Sequence, residues 1–229
     1  MNAGEKALIG LRVLQRARCV EPDIVEGFRA VPVANVSDVM ERVWSAPACI
    51  RPVHDGTPMC GPAVTVRAPP GDNLLVHKAL DMAEPGDVIV VDAAGDLTNS
   101  ILGEMMITHA IARRLGGIVI FGAIRDFDTL RTWSFPVFAA GVTHRGPYKN
   151  GPGELNVPIA LGSMVIEPGD VVMGDGDGVI TVPFAEARAT LEAARKKHAK
   201  ELAHMVDLQE GRADRDWIDT KLRSLGADV

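Results

Sequence analysis

The stretch that most constrains the fold is residues 103–126, GEMMITHAIARRLGGIVIFGAIRD. Its first part has apolar residues at helical spacing, namely Ile107, Ala110, Ile111 and Leu115. Gly116-Gly117 is expected to end that helix, and residues 118–121 are a continuous apolar run typical of a strand buried on both faces. The stretch therefore predicts a helix followed by a buried strand, as in an α/β fold.

Both ends of this stretch carry groups suited to a binding site. Arg125-Asp126 directly follows the predicted strand, at the end where open α/β sheets commonly bind ligands. The helix start at Gly103-Glu104 has free backbone N–H groups, which favour an anion. If the helix packs back on the strand, one pocket would combine a guanidinium, a carboxylate for a hard cation, and amides for a developing negative oxygen. Taken alone, an Arg-Asp pair is common and favours surface residues that close a strand.

The segments before this stretch continue the α/β pattern. A helix is predicted near residues 36–43, with Asn35 or Ser37 as its N-cap and Asp38 in its first turn. The purely structural interpretation of Asp38 is a carboxylate that complements the helix dipole. Further elements are predicted as a strand at 64–66, a helix capped by Asp72 or Asn73, a strand at 88–91, a short helix at 127–132 and a strand at 136–138.

The chain changes character after residue 141. Residues 141–153 are a Gly-rich loop, which is either a solvated crossover or a substrate-facing loop. Its functional-looking members are His144, Arg145, Tyr148 and Lys149. Four short strands, predicted at 157–161, 164–166, 170–173 and 178–182, read as a β meander.

Two helices are predicted at the end of the chain, over residues 184–210 and 214–225. The first contains Lys197 and Glu201 at i,i+4 spacing, which favours an ion pair. Together with the preceding segments, this pattern predicts an α/β fold in which two sheets are covered by helices.

Net charge and cysteine spacing argue against several functions. A net charge of −6 argues against a nucleic-acid partner, because binding phosphates needs clustered Lys and Arg. Three widely spaced cysteines, without a CxxC pair, suggest neither a disulfide framework nor a zinc site. No signal peptide or membrane span is recognisable, so the cytoplasm is the expected location and no membrane partner is expected.

Several motifs together resemble the RraA-like family, which includes the class II 4-hydroxy-4-methyl-2-oxoglutarate/4-carboxy-4-hydroxy-2-oxoadipate aldolases. The signature is an acidic residue, twenty intervening residues and an Arg-Asp pair, here Glu104 and Arg125-Asp126. The likeness extends to residues 69–96, 135–141 and 165–183. It implies an α/β/β/α sandwich of the swivelling β/β/α-like type, and a homotrimer or dimer of trimers with active sites between neighbouring subunits.

The resemblance covers about residues 25–205, which we expect to form a single RraA-like aldolase domain. Residues 1–24 carry a mildly basic amphipathic pattern and are expected to form an N-terminal helical segment. Residues 206–229 are expected to form a C-terminal helical extension that exceeds the usual family length.

The resemblance also implies roles for individual residues. Arg125 would bind the carboxylate and keto oxygen of a pyruvyl group, and Asp126 would be the direct protein ligand of Mg²⁺ or Mn²⁺. Glu104 would orient a water on the metal for proton transfer. Asp38 would help to hold such water, and Glu201 would reach the waters in a neighbouring subunit's site. The pyruvate site would be completed by the backbone of Gly103, Glu104, Met105 and Met106.

The implied activity is a divalent-metal-dependent class II pyruvate aldolase acting on a 2-oxo acid. Oxaloacetate decarboxylation uses the same enolate chemistry and is a companion or main activity to test. Two positions depart from the family pattern, because Glu104 replaces an Asp and Thr129 stands where many relatives are acidic. The alternative is a non-catalytic RraA-type regulator that binds and inhibits ribonuclease E. Metal-dependent pyruvate release would separate the two.

Overall fold

The computed structural model of the protein describes residues 9–229. Their helices are α1 (Pro22–Arg29), α2 (Val33–Val39), α3 (Leu74–Met82), α4 (Glu104–Ala112), α5 (Phe127–Leu130), α6 (Ala187–Gln209) and α7 (Asp216–Ser224), with a 3₁₀ turn at Phe184–Glu186 before α6. Their strands are β1 (Leu11–Val13), β2 (Arg51–Pro52), β3 (Met59–Arg67), β4 (Val88–Asp92), β5 (Ser100–Leu102), β6 (Gly117–Ile124), β7 (Val137–Val142), β8 (Gly153–Leu155), β9 (Ile159–Leu161), β10 (Met164–Ile166), β11 (Val171–Asp175) and β12 (Gly178–Val182).

The centre of the molecule is a parallel sheet built from β3, β4, β6 and β7, in that order. Its register pairs Val64 with Ile89 and Ile89 with Ile118. The two central strands, β4 and β6, are almost entirely buried, as expected for a parallel sheet that is covered on both faces. The predicted strands at 64–66, 88–91 and 118–121 are therefore confirmed, and each extends further than its apolar run.

Strand β3 also belongs to a second group of strands. Its first half, Met59 to Pro62, pairs with β11, and β11 pairs with β12. Strands β9 and β10 form a separate hairpin. The predicted strands of this region are confirmed, but the predicted single meander is wrong, because β11 takes β3 as its second neighbour instead of β10.

Three clusters of buried apolar residues separate four layers. One lies between the helices α3 and α4 and one face of the parallel sheet. The next lies between the opposite face of that sheet and β9 to β12, where Val172 and Val179 point inward. The third lies between the other face of β11 and β12 and the helices α1, α2 and α6. This arrangement is the predicted α/β/β/α layering, produced by the alternation of side chains along each strand.

The N-terminal segment differs from the prediction. Residues 1–8 of the expected helical segment 1–24 lie outside the described residues, and residues 9–21 contain the strand β1 and extended chain instead of a helix. The reason is pairing with the domain: β1 runs parallel to β8, and Arg12, Arg16 and Arg18 each meet an acidic side chain. A helix starts only at Pro22, a residue that suits the first helical position.

The predicted C-terminal helices are present. Helix α6 buries residues only up to Ala194, and α7 buries none. The expected boundary between residues 205 and 206 falls inside α6, because that helix continues without a break to Gln209. Within residues 9–229, no helix has both the length and the apolar character needed to cross a membrane.

Candidate functional site

The two ends of the α4–β6 unit meet, as predicted. Arg125 directly follows β6, and Asp126 then adopts a left-handed conformation with φ 62°, which turns the chain into α5. This turn directs the Asp126 carboxylate back to the start of α4. Its Oδ2 accepts a hydrogen bond from the Glu104 backbone N–H at 2.9 Å. The carboxylate therefore occupies the anion-favouring position at the N-terminus of α4.

Gly103 permits this close approach. A Cβ at this position would lie 2.3 Å from Asp126 Oδ2 and 2.8 Å from Arg125 Cγ. Both distances are shorter than non-bonded atoms tolerate, so a side chain would displace the two functional groups. The glycine is required by this contact and not by backbone strain, since its φ of −154° is ordinary extended geometry.

Arg125 is fixed through its backbone and remains available through its side chain. Its N–H donates to the Leu102 carbonyl at 3.0 Å. Its Nε lies 3.7 Å from Asp126 Oδ2, and the two side chains are 42% and 38% exposed. That separation leaves the guanidinium free to bind a carboxylate of a ligand, which is the geometry that an Arg fork favours.

The backbone donors at the start of α4 are not all free. The Glu104 N–H is bound to Asp126, and the Met106 N–H donates to the Gly103 carbonyl at 3.1 Å. Among the described hydrogen bonds, none uses the Met105 N–H. Of the four predicted backbone groups, the N–H groups of Gly103 and Met105 make none of the described hydrogen bonds, so these two amides can receive a ligand oxygen.

A cavity of about 340 Å³ opens beside these groups. Its wall is formed by Asn73, His77, Leu102, Gly103, Met105, Met106, Arg125, Gly146, Pro147 and Lys149. A second cavity of about 320 Å³ shares His77 and the two methionines and extends to Asp81 and His109. The two form one groove that runs along α4.

The loop 141–153 lies against this groove. A Cβ on Gly146 would be 3.4 Å from a terminal nitrogen of Arg125, so the loop backbone passes close to the guanidinium. Asp72 holds the loop in place, since its Oδ2 accepts the backbone N–H groups of Asn150 and Gly151 at 2.6 and 2.9 Å. Of the four side chains singled out from the sequence, Lys149 lines the cavity, whereas His144, Arg145 and Tyr148 do not.

Asn73 and His77 line the cavity but were not predicted as site residues. Asn73 is the N-cap residue of α3, and its amide donates to the Ile101 carbonyl at 2.8 Å. Burial, followed by the nearby charge of Lys149, lowers the pKa of His77 and so favours its neutral imidazole. Their sequence signals are a helix cap and one histidine on an apolar helix, which also occur in purely structural positions.

The residues around Asp126 fit a divalent cation held mainly by water and ligand. None of the described hydrogen bonds uses Asp126 Oδ1, and the side chain of Glu104 is exposed nearby. Within residues 9–229, no group of three or more His, Cys, Asp or Glu side chains is arranged to hold a metal. Mg²⁺ is commonly bound through one or two carboxylates and keeps several waters, so a single carboxylate is compatible with it.

Asp38 and Glu201 lie elsewhere in the molecule. Asp38 Oδ2 is 3.1 Å and Glu201 Oε1 is 2.6 Å from Lys197 Nζ, in the helical layer formed by α2 and α6. This layer covers β11 and β12, whereas α4 covers the opposite side of the molecule. One chain therefore brings Glu104, Arg125 and Asp126 together but not Asp38 and Glu201.

The predicted position of Asp38 in the first turn of its helix is wrong. Helix α2 begins at Val33, because Pro32 serves as its N-cap, so that Asn35 and Ser37 are helical and Asp38 lies in the last turn. The predicted pair of Lys197 and Glu201 is confirmed. Hydrogen bonds from Lys197 lower the pKa of both Asp38 and Glu201.

Comparison with known proteins finds one family and one fold. The family model described as "RraA-like: Aldolase/RraA" matches residues 33–181. A protein of Halalkalibacterium halodurans, provisionally named 4-hydroxy-4-methyl-2-oxoglutarate aldolase, is 39% identical over 80% of this chain and 87% of its own length.

Two solved structures are also similar. A Streptomyces coelicolor protein, an unusual member of the RNase ES inhibitor RraA family, has a TM-score of 0.74 and 26% identity over 82% of this chain and 98% of its own. The RNA-processing inhibitor RraA of Thermus has a TM-score of 0.62 and 28% identity over 66% of this chain and 92% of its own.

Proposed function

Because this chain belongs to the RraA-like family, we propose that it is a divalent-metal-dependent class II aldolase that releases pyruvate from a 4-hydroxy-2-oxo acid of the 4-hydroxy-4-methyl-2-oxoglutarate type. One observation carries this proposal. The carboxylate of Asp126, the guanidinium of Arg125 and the start of α4 converge at one end of a cavity large enough for a small organic acid. That combination matches the needs of an enolate-forming reaction.

Arg125 and the backbone of α4 would bind the pyruvyl part of the substrate. The guanidinium can hold the carboxylate and the 2-oxo oxygen together, and the Met105 N–H can donate to the same group. In the reaction the 4-hydroxyl loses its proton, the bond between C3 and C4 breaks, and its electron pair becomes the enolate of pyruvate, which is then protonated at C3. Arg125 stabilises the negative charge that develops on the 2-oxo oxygen.

Asp126 would hold the cation, Mg²⁺ or Mn²⁺, with Glu104 beside it. When bound, the cation supplies further electrostatic stabilisation to the developing enolate oxygen. Glu104 is assigned to proton transfer through a water, since its side chain is exposed next to the site. No lysine is needed to form a Schiff base. Decarboxylation of oxaloacetate produces the same enolate, so we include it as a second reaction of this site.

We also propose a homotrimer or dimer of trimers in which Asp38 and Glu201 serve the site of a neighbouring subunit. Their location supports this proposal, because α2 and α6 form one outer layer of the molecule and α4, beside Arg125, belongs to the opposite outer layer. Asp38 and Glu201 therefore cannot serve Arg125 of their own chain. Their side chains are 34% and 49% exposed, so both can be approached by another copy.

The alternative function is inhibition of a ribonuclease by contact. The specific observation in its favour is the structural similarity to two proteins described as RraA-type inhibitors. The aldolase proposal is preferred because the relative that matches this chain at 39% identity bears an aldolase name, and because the Arg125 and Asp126 side chains remain accessible.

The deciding experiment uses purified protein with Mg²⁺ or Mn²⁺, a panel of 4-hydroxy-2-oxo acids, and oxaloacetate, with pyruvate as the readout. We expect pyruvate release that chelation abolishes and that Asp126→Asn strongly reduces, because a neutral amide is a poorer metal ligand than a carboxylate. Asp128→Asn, an exposed change on α5, is the matched control. Absence of metal-dependent pyruvate release together with inhibition of ribonuclease E would favour the alternative. Full activity in excess chelator would contradict the metal mechanism.

A further inference from the structure

The largest of the described cavities, about 510 Å³, lies away from the candidate active site. It is formed where the connection between α1 and α2 passes over the beginning of β3 and the end of β11. Met59, at the start of β3, lines it, whereas Arg125 and Asp126 follow the end of β6. Since β3 and β6 belong to one parallel sheet and β6 spans roughly 26 Å, the two sites lie at opposite ends of the sheet.

Most of the wall is apolar. Its buried members are Phe28, Val31, Val33, Met59, Cys60 and Met173. Burial raises the pKa of the Cys60 thiol to about 12, so this side chain is uncharged and adds to the apolar surface. A volume of this size falls within the range of roughly 300–1,000 Å³ that is usual for small-molecule sites.

The cavity is lined by one arginine, one aspartate and one histidine, and the described contacts use their hydrogen-bonding groups unequally. Asp175 is already satisfied, because its two carboxylate oxygens accept the backbone N–H groups of Val33 at 3.1 Å and Asp177 at 2.9 Å. Arg29 uses one of its five donors on the Cys60 carbonyl at 3.0 Å, and its only described ionic contact is with Glu26, a carboxylate 80% exposed, at 3.5 Å. His198 also lines the cavity and makes none of the described hydrogen bonds or ion pairs.

From this geometry we infer that the cavity binds a small amphiphilic carboxylate, whose carboxylate pairs with Arg29 and whose apolar body lies against Met59, Met173 and Val31. Contact with the apolar wall would stabilise binding by about 25 cal/mol for each Å² of the ligand's apolar surface that is removed from water. A sugar-like ligand has too little apolar surface to gain this stabilisation. The remaining donors of Arg29 give the orientation and the preference for an anion. None of the residues of this site belongs to the Arg125–Asp126 site of the same chain, although Val33 and His198 lie on the helices α2 and α6, which carry Asp38 and Glu201.

The methionines allow both sites to be observed in one sample. Protein labelled with ¹³C at the methionine methyl groups carries reporters in this cavity, Met59 and Met173, and in the candidate active site, Met105 and Met106. Octanoate is the probe, with 1-octanol as the same tail without charge and propionate as the same charge with little tail. Single Met→Leu variants assign the signals.

We expect octanoate to shift the signals of Met59 and Met173 in a saturable manner and to leave those of Met105 and Met106 unchanged. Octanol and propionate should each bind at least about tenfold more weakly, because each lacks one of the two interactions. Pyruvate with Mg²⁺ should shift Met105 and Met106 instead, so failure of one site is distinguishable from failure of the other. If octanoate shifts neither Met59 nor Met173, or if octanol binds as tightly as octanoate, the inference is wrong.

Arg29→Gln should weaken octanoate binding on the order of tenfold, the usual cost of losing a hydrogen bond to a charged group, and Arg29→Lys should restore part of it. Arg212→Gln, which changes an exposed arginine on the far end of the chain, is the matched control. Thermal unfolding shows whether loss of the bond to the Cys60 carbonyl disturbs the fold. A correctly folded Arg29→Gln protein that binds octanoate as the wild type does would overturn the assignment.

Discussion

Arg125 combines a fixed backbone with an accessible guanidinium, which makes the shape of its side chain testable. We expect Arg125→Lys to lower the rate of pyruvate release about a hundredfold, since losing one positioned donor to a developing oxyanion costs on the order of 3 kcal/mol. Lysine keeps the charge but lacks the planar fork. Steady-state kinetics measures the effect, and thermal unfolding should be nearly unchanged.

Arg131→Lys is the control for that prediction, because Arg131 is 59% exposed and pairs only with the neighbouring Asp128 among the described residues. Its activity should match the wild type. An Arg125→Lys variant within about twofold of the wild type would return Arg125 to a surface role, because a positioned donor is not that dispensable.

Substitution of Gly103 provides a second test. It examines the close approach of the Asp126 carboxylate to Gly103 and leaves the charges of the site unchanged. In Gly103→Ala the new Cβ would lie 2.3 Å from Asp126 Oδ2, so the Asp126 carboxylate must move away from the Glu104 N–H. We expect activity to fall at least tenfold and stability to fall by about 1–3 kcal/mol, the usual cost of overpacking. Gly176→Ala is the control, since a Cβ there meets nothing within 4 Å. Unchanged kinetics and melting temperature in Gly103→Ala would show that the contact is unimportant.

The ion-pair cluster between α2 and α6 predicts a pH dependence of stability. The Lys197 ammonium lowers the pKa of Asp38 and Glu201 from their ordinary values of 3.8 and 4.5. A carboxyl group whose pKa is lower in the folded state stabilises the fold above its unfolded pKa, and this contribution is lost as pH falls through the folded pKa. Lys197→Met should therefore melt below the wild type at pH 7, and the difference should shrink below about pH 4.

Lys200→Met is the matched control for the cluster, because Lys200 lies on the same helix and makes none of the described ion pairs. Its melting temperature should follow the wild type at every pH. A Lys197→Met difference that stays constant from pH 7 to pH 3 would mean that packing, and not charge, accounts for the loss.

Some elements could be predicted because their signals are local. Helix α4 and strand β6 follow from apolar spacing, and the meeting of their two ends follows from how a helix packs back on a strand. The glycine pair does not end the helix as predicted, because α4 already ends at Ala112 and Gly117 is the first residue of β6. The backbone glycine, the guanidinium and the carboxylate of the candidate site all belong to this one unit, so one stretch of sequence was enough to bring them together.

Other features depend on distant partners that a sequence pattern does not reveal. Residues 9–21 have an amphipathic pattern, but arginines that find acidic partners on the domain hold them extended. Asn73 and His77 reach the site only because α3 packs beside α4. Asp38 lies near the end of its helix instead of in the first turn, because the N-cap is Pro32 and not Asn35. In each case tertiary contacts or an unrecognised cap decided the outcome.

The proposed assembly can be tested by mixing two inactive variants. Arg125→Lys removes a group of a chain's own site, and Glu201→Gln removes a group proposed to serve the neighbour's site. If the two are unfolded together and refolded, about a quarter of the shared sites in random symmetric oligomers receive both normal residues, and activity should return to that level. Each variant refolded alone is the control. No recovery in mixed oligomers, or a monomer that is fully active during sedimentation, would refute the shared site.

Strand β3 carries a consequence for how the chain is made. The residues Met59 to Pro62 of β3 pair with residues Val171 to Gly174 of β11. Most of the protein must therefore be synthesised before this half of β3 gains its neighbouring strand. Until then the edge of β3 is unpaired and apolar, which is the kind of surface that invites aggregation. A nascent chain stalled before residue 171 should therefore depend on chaperones, whereas a chain released with β11 and β12 complete can close both sheets in one cooperative step.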